Sequence, residues 1–138
     1  MPFYGVYDFL VRYEQHPNRD VLERFFRDRV MHETAEQNPA LWDLASPVAQ
    51  VHEAAPPFMV LHGTHDSLVR VEDARHFVEQ LKSVSRNPVL YAELPGAQHA
   101  FEIFHSLRTS TVVQAVDRFL TWVHSGYHAE AEGSQPAS

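Results

Sequence analysis

Residues 56 to 71 read Pro56-Pro-Phe-Met-Val-Leu-His-Gly-Thr-His-Asp-Ser-Leu-Val-Arg-Val71, and the fold class follows from them and from what comes next. The apolar run Phe58 to His62 is introduced by two prolines and closed by Gly63. Its lack of polar alternation suits a strand covered on both faces, as in a parallel sheet. From Val71 to Val84 the apolar residues Val71, Ala74, Phe77, Val78, Leu81 and Val84 recur at intervals of three and four, with Glu72, Asp73, Arg75, Glu79 and Lys82 between them. That periodicity predicts an amphipathic helix. Asn87-Pro88 breaks the chain, Val89 to Leu94 reads as a second strand ended by Pro95-Gly96, and a helix from about Thr109 to His124 follows, with Gly126 just past its end. Its expected inner face is Val112, Val113, Val116, Phe119, Leu120 and Val123. Strand, helix, strand, helix implies right-handed βαβ units and a parallel sheet, so the fold class is α/β.

Upstream, Phe3 to Tyr7 resembles the end of another strand. Asp20 to Met31 is an expected helix with Leu22, Phe25, Phe26 and Val30 inward, and Glu23 stands three residues after Asp20 as in a capping box. Asn38-Pro39 has the form of an N-cap followed by proline at the first helical position of a short helix carrying Leu41, Trp42 and Leu44. The stretch Tyr127 to Ser138 is small, polar and acidic, and is expected to be a disordered tail behind one partial domain over residues 1–126. Three strands make a narrow sheet, so the chain reads as the back half of a larger α/β fold with an exposed sheet edge.

Composition removes several function classes. With 11 basic and 18 acidic residues the net charge is -7, and no Lys/Arg run is present, which argues against a nucleic-acid partner. There is no cysteine, so disulfides, a thiolate nucleophile and Cys-ligated metal centres are excluded. No apolar run approaches the roughly 20 residues of a membrane-spanning helix; the chain as given reads as soluble, and its compartment is left open. The 10 histidines could reverse the surface charge in mild acid, which bears on solubility alone.

Two loops could carry chemistry, because each follows the carboxyl end of an expected parallel strand, the edge at which open α/β sheets bind ligands. One is Gly63-Thr-His-Asp-Ser67, which places Asp66 just past the first strand; the other is Pro95-Gly-Ala-Gln-His-Ala-Phe-Glu102, which places His99 in the equivalent position. If the strands are neighbours about 4.8 Å apart, the carboxylate and the imidazole can meet. Such a pair fixes an imidazole tautomer and stabilises the imidazolium formed in proton transfer. Taken alone, an aspartate in such a turn is more often a turn or helix-capping residue.

From about Trp42 to Val123 the sequence resembles the C-terminal part of an α/β-hydrolase esterase or lipase of the hormone-sensitive-lipase-like branch. The residues that carry the likeness are Ala45-Ser-Pro47, Pro56-Pro57 leading into Phe58 to Val69, the helix Asp73 to Leu81, and Gly96-Ala-Gln-His-Ala-Phe-Glu102. The resemblance implies Asp66 as the acid and His99 as the general base of a catalytic triad in the order Ser, Asp, His, acting on a small acyl ester with no cofactor. Phe101 matches the aromatic that commonly follows the histidine, while Ala100 stands where the family often has glycine. No Gly-x-Ser-x-Gly and no His-Gly-Gly loop occurs in these 138 residues, so the chain by itself is expected to be inactive.

Competing readings remain for the other residues. His62 and His65 have a His-x-x-His spacing and could join Asp66 at a metal, although loop packing explains them as well and no metal is expected. Ser46, Ser67 and Ser106 could be nominated as substitute nucleophiles, but their settings look like caps and turns. Phe101, Ile103 and Phe104 could line an acyl pocket or simply fill core. The aromatics Phe3, Tyr4, Tyr7, Phe9 and Tyr13 could face substrate, or form an apolar surface through which a non-catalytic hydrolase-derived module self-associates or binds a partner chain.

Overall fold

The computed structural model describes residues 1–10 and 19–133; Tyr13 and residues 134–138 of the expected tail lie outside the described residues. The elements are α1 (Arg19–Phe26), a π-helical turn (Arg27–Met31), α2 (Pro39–Ala45), a 3-10 turn (Pro47–Gln50), β1 (Phe58–Gly63), α3 (Val71–Val84), β2 (Val89–Leu94) and α4 (Leu107–Gly133). Strands β1 and β2 pair in parallel, from Phe58 opposite Val89 to Gly63 opposite Leu94, with α3 as the crossover. This is the expected α/β unit. No helix among the described residues is long and apolar enough to cross a membrane.

The chain forms two compact units, Met1–His99 and Ala100–Ser138. In the first, α3 lays its apolar stripe on the sheet: Ala74, Phe77, Val78 and Leu81 are buried with Val60, Val48, Ala55 and Tyr7. The Tyr7 ring stacks on Phe77 with centroids 4.6 Å apart. Burial pushes the Tyr7 phenol well above its ordinary range. Arg75 of α3 grips Glu93 of β2 with two parallel bonds, Nε to Oε1 and Nη2 to Oε2, both 2.7 Å. That guanidinium holds the Glu93 carboxyl below the usual carboxylate range. A second cluster surrounds Trp42, whose Nε1–H donates to the Glu33 carbonyl (3.2 Å), together with Phe26 and Met31. Asn38 caps α2 as its sequence position predicts, with its side-chain oxygen accepting from the Leu41 N–H.

Three expectations change. The strand expected at Phe3 to Tyr7 is reduced to one parallel bridge between Phe3 and Leu61, in which Leu61 N–H donates to the Pro2 carbonyl and Tyr4 N–H to the Leu61 carbonyl. The helix expected over Asp20 to Met31 switches at Arg27 to π winding, so that the residue following Phe26 into the core is Met31, five positions on, while Phe25 and Val30 face solvent. Asp20 lies within the first turn of α1 rather than ahead of it. Finally, α4 does not stop near His124: it runs through Gly126, at the modest cost of a helical glycine, into the stretch expected to be a tail. Within this second unit Val112 and Phe119 are buried, while Val113 and Leu120 of the same expected face are exposed.

Candidate active site

The candidate site begins with a close approach of two loops. Gly63 ends β1 against the backbone of Ala97, so tightly that a Cβ there would overlap the Ala97 carbonyl oxygen and lie 2.8 Å from its carbon. The loops are then tied together: Thr64 N–H donates to the Leu94 carbonyl (3.1 Å), His65 N–H to the Ala97 carbonyl (3.0 Å), and Gly96 N–H to the Thr64 hydroxyl (2.9 Å). Gly96 takes a left-handed φ of +69° that turns the second loop back toward the first, and Ala100, just past His99, is also left-handed at φ +57°.

This closure brings together the two residues singled out in the sequence. His99 Nδ1 lies 2.8 Å from Asp66 Oδ2. Because an ionised carboxylate only accepts, Nδ1 carries a proton, and the neutral ring then has its lone pair on Nε2. The Asp66 side chain is fully enclosed, and that of His99 is 27% exposed. Asp66 Oδ1 accepts from the N–H groups of Leu68 and Val69, both at 2.9 Å, which form the turn that leads into α3. The capping reading of Asp66 is thus correct for Oδ1 and the pairing reading for Oδ2, since one carboxylate has lone pairs for both. Tyr4, held at a left-handed φ of +38°, sets its ring 4.3 Å from the His99 ring.

A cleft of about 630 Å³ opens at His99, with Phe3, Tyr4, Leu22, Phe25 and Leu68 among its walls. A second, of about 470 Å³, is lined by Tyr7, Pro47, Val51, Phe58 and Phe77 and includes neither Asp66 nor His99. The N-terminal aromatics therefore divide, Phe3 and Tyr4 beside the imidazole and Tyr7 in the core.

A family profile described as BD-FAE matches residues 1–81, more than half of the chain. The chain belongs to the BD-FAE family. This BD-FAE chain is 46% identical over 138 residues to a probable carboxylic ester hydrolase, LipM, of Mycobacterium tuberculosis, a match covering 99% of this chain and 30% of that protein. It is 41% identical over 121 residues to esterase LipC of the same organism, covering 88% of this chain and 30% of LipC. Among solved structures, Thermogutta terrifontis esterase 2 phosphonylated by sarin superposes with a TM-score of 0.70 at 25% identity, covering 88% of this chain and 42% of that one. The BD-FAE chain thus spans about 30% of the length of the curated relatives it matches. The resemblance to part of an α/β-hydrolase esterase, read from Asp66, His99 and their loops, agrees with these relatives.

The remaining sequence candidates separate. Ser46 is buried, donates to the Trp42 carbonyl (2.8 Å) and accepts from Phe9 N–H (3.0 Å), which makes it a helix-end cap. Ser106 accepts from Thr109 N–H at the start of α4 (3.1 Å), and Ser67 is exposed beside the acid. His65 is exposed, with Nδ1 at 3.2 Å from the Thr64 hydroxyl, whereas His62 is wholly buried; among the described residues no group of three metal-ligating side chains forms. Ile103 and Phe104 are 71% and 77% exposed, so they are not core. Sequence reading missed Gly63, whose need for close approach shows only in three dimensions, and it weighed His62 as a metal ligand or loop packing where the structure buries it within β1 against the Val69 carbonyl.

Proposed function

We propose that this chain supplies the acid, Asp66, and the general base, His99, of a serine carboxylic-ester hydrolase, the nucleophile coming from sequence other than these 138 residues. The observation that carries the reading is the 2.8 Å bond from His99 Nδ1 to an enclosed carboxylate already anchored by two backbone N–H groups. With Nδ1–H committed to Asp66, Nε2 is free to take the proton of a serine hydroxyl as that oxygen attacks the ester carbonyl. It then returns the proton to the departing alcohol, and in a second round activates the water that hydrolyses the acyl-enzyme. Asp66 remains ionised and stabilises the intervening imidazolium. The apolar cleft at His99 fits an aliphatic or aromatic arm of the ester against Tyr4, Phe25 and Leu68. No cofactor enters this chemistry.

The test is a hybrid. This chain replaces the matching 30% of LipM, and turnover of p-nitrophenyl butyrate is measured. The hybrid is expected to be active, and to lose roughly a thousandfold or more of kcat/KM on His99→Ala. This chain alone, which lacks a Gly-x-Ser-x-Gly turn, is expected to give no turnover. An active hybrid indifferent to His99→Ala removes the proposal. A second reading, a non-catalytic module that self-associates, draws on the outer edge of β2, which pairs with no other strand among the described residues. Sedimentation of the isolated chain as a monomer at all concentrations would exclude that reading.

A further inference from the structure

The imidazole of His62 lies in the interior of the first unit, at 0% exposure, on a strand whose neighbouring positions are Leu61 and Gly63. A polar ring buried there is costly unless its nitrogens are used. One of them is used. Nε2 sits 2.9 Å from the Val69 carbonyl oxygen and 3.4 Å from Asp66 Oδ2. Nδ1 has no hydrogen-bond partner among the described residues. Both atoms facing Nε2 are acceptors, so the proton belongs on Nε2. The alternative tautomer would aim a lone pair at a carbonyl and a carboxylate while leaving a buried N–H orphaned at Nδ1.

The surroundings close into a ring of contacts. Val69 N–H donates to Asp66 Oδ1, the Val69 carbonyl accepts from His62, and His62 also faces Asp66 Oδ2. Asp66 therefore meets three donors: two backbone N–H groups on Oδ1 and the His99 imidazole N–H on Oδ2, while the one N–H of His62 goes to the Val69 carbonyl and its nitrogen lies 3.4 Å from Oδ2. We propose that His62 is a positioning residue for the acid: by holding the Val69 carbonyl it fixes the turn whose N–H groups anchor Asp66 Oδ1, and so sets the direction of the bond that Asp66 Oδ2 makes to His99. The proposal rests on the reading of Asp66 and His99 as acid and base, but its test does not use esterase activity. Metal ligation plays no part in it.

The experiment is NMR on the full 138-residue chain with 15N-labelled histidine. In the unmodified chain, His62 is expected as the neutral Nε2–H tautomer. Finding the Nδ1–H tautomer, or a doubly protonated ring, overturns the proposal without any variant. In His62→Leu, the Val69 carbonyl loses its donor, the turn that anchors Asp66 loosens, and the His99 Nδ1–H resonance is expected to move upfield as its bond to Asp66 weakens. In His62→Gln, whose amide can reach the Nε2 position, the resonance is expected to return toward its original place. A His99 signal that is unmoved or shifted downfield in His62→Leu, or lost in both variants, means that His62 is packing alone and overturns the proposal. Should the LipM hybrid prove inactive while these shifts appear, the hydrolase reading fails and the His62 contact stands; an active hybrid with unmoved shifts keeps the hydrolase reading and removes the role of His62.

Discussion

Replacing Gly63 by alanine puts one methyl group where the Ala97 backbone already is. The new Cβ would stand 2.8 Å from the Ala97 carbonyl carbon and 3.1 Å from its Cβ, against an ordinary carbon–carbon contact of about 3.5–4.0 Å. Both neighbours are short, and the nearest is backbone, so no rotamer change can relieve the clash. The loops must separate by roughly 1 Å to restore that contact. Overpacking of this kind costs about 1–3 kcal/mol. The separation also strains the three cross-loop bonds from Thr64, His65 and Gly96, each worth about 1 kcal/mol. A loss of about 3–5 kcal/mol follows, a large part of the roughly 5–15 kcal/mol that holds a typical domain folded. It corresponds to a fall in melting temperature on the order of 10–20 °C. The same displacement stretches the 2.8 Å Asp66–His99 bond past hydrogen-bonding range, so the His99 Nδ1–H resonance should vanish along with the stability. Calorimetry and NMR on the full chain read both effects. A Gly63→Ala chain that melts within about 2 °C of the original, with its His99 signal intact, would refute the idea that this close approach assembles the site.

Other substitutions probe separate contacts. Asp66→Ala leaves the Leu68 and Val69 N–H groups and the His99 imidazole without their acceptor, and should cost roughly 3–5 kcal/mol in urea unfolding, whereas a surface aspartate such as Asp117 should cost under about 0.5 kcal/mol. Ala100→Gly removes the strain of a Cβ at φ +57° and is expected to stabilise the chain by up to about 1 kcal/mol in the same assay, despite the added freedom of the unfolded chain. Gly126→Ala, in a helix with open space at the new Cβ, should raise stability by about 0.5–1 kcal/mol, opposite in sign to Gly63→Ala. For pH, the folded-state pKa of Glu93 lies below its unfolded value, first because Arg75 donates to it. Its contribution is therefore complete above the ordinary value of 4.5 and is lost as pH falls through the lower folded value. Unfolding midpoints from about pH 6 down to about pH 3 should fall less steeply in Glu93→Gln than in the original chain; equal slopes would mean that the Arg75–Glu93 pair, partly open to solvent, contributes nothing measurable.

The βαβ unit was legible because its signals are local and strong. An uninterrupted apolar run bounded by proline and glycine has few alternatives to a buried strand, and the spacing of Ala74, Phe77, Val78 and Leu81 matches only a helix of ordinary winding. Asn38-Pro39 was equally readable, since a cap and its first turn are set by adjacent residues. What local pattern could not show was the π turn after Phe26, where docking Met31 beside Trp42 overrides the 3.6-residue period. It also missed the reach of α4 through Gly126, because one glycine costs a long helix little.

At the site, the order of residues was enough to establish that an aspartate and a histidine follow successive parallel strands, and chain connectivity then put them on the same edge of the sheet. Their meeting at 2.8 Å depends on Gly63 lacking a Cβ, on the left-handed turn at Gly96, and on the hydrogen bonds that tie the two loops. Tyr4 beside His99, and His62 behind Asp66, are placements that no local pattern announces and that arise only when the chain packs. Direction and period along the chain are written in neighbouring residues, whereas the set of donors around a carboxylate depends on atoms brought together only when the strand is buried.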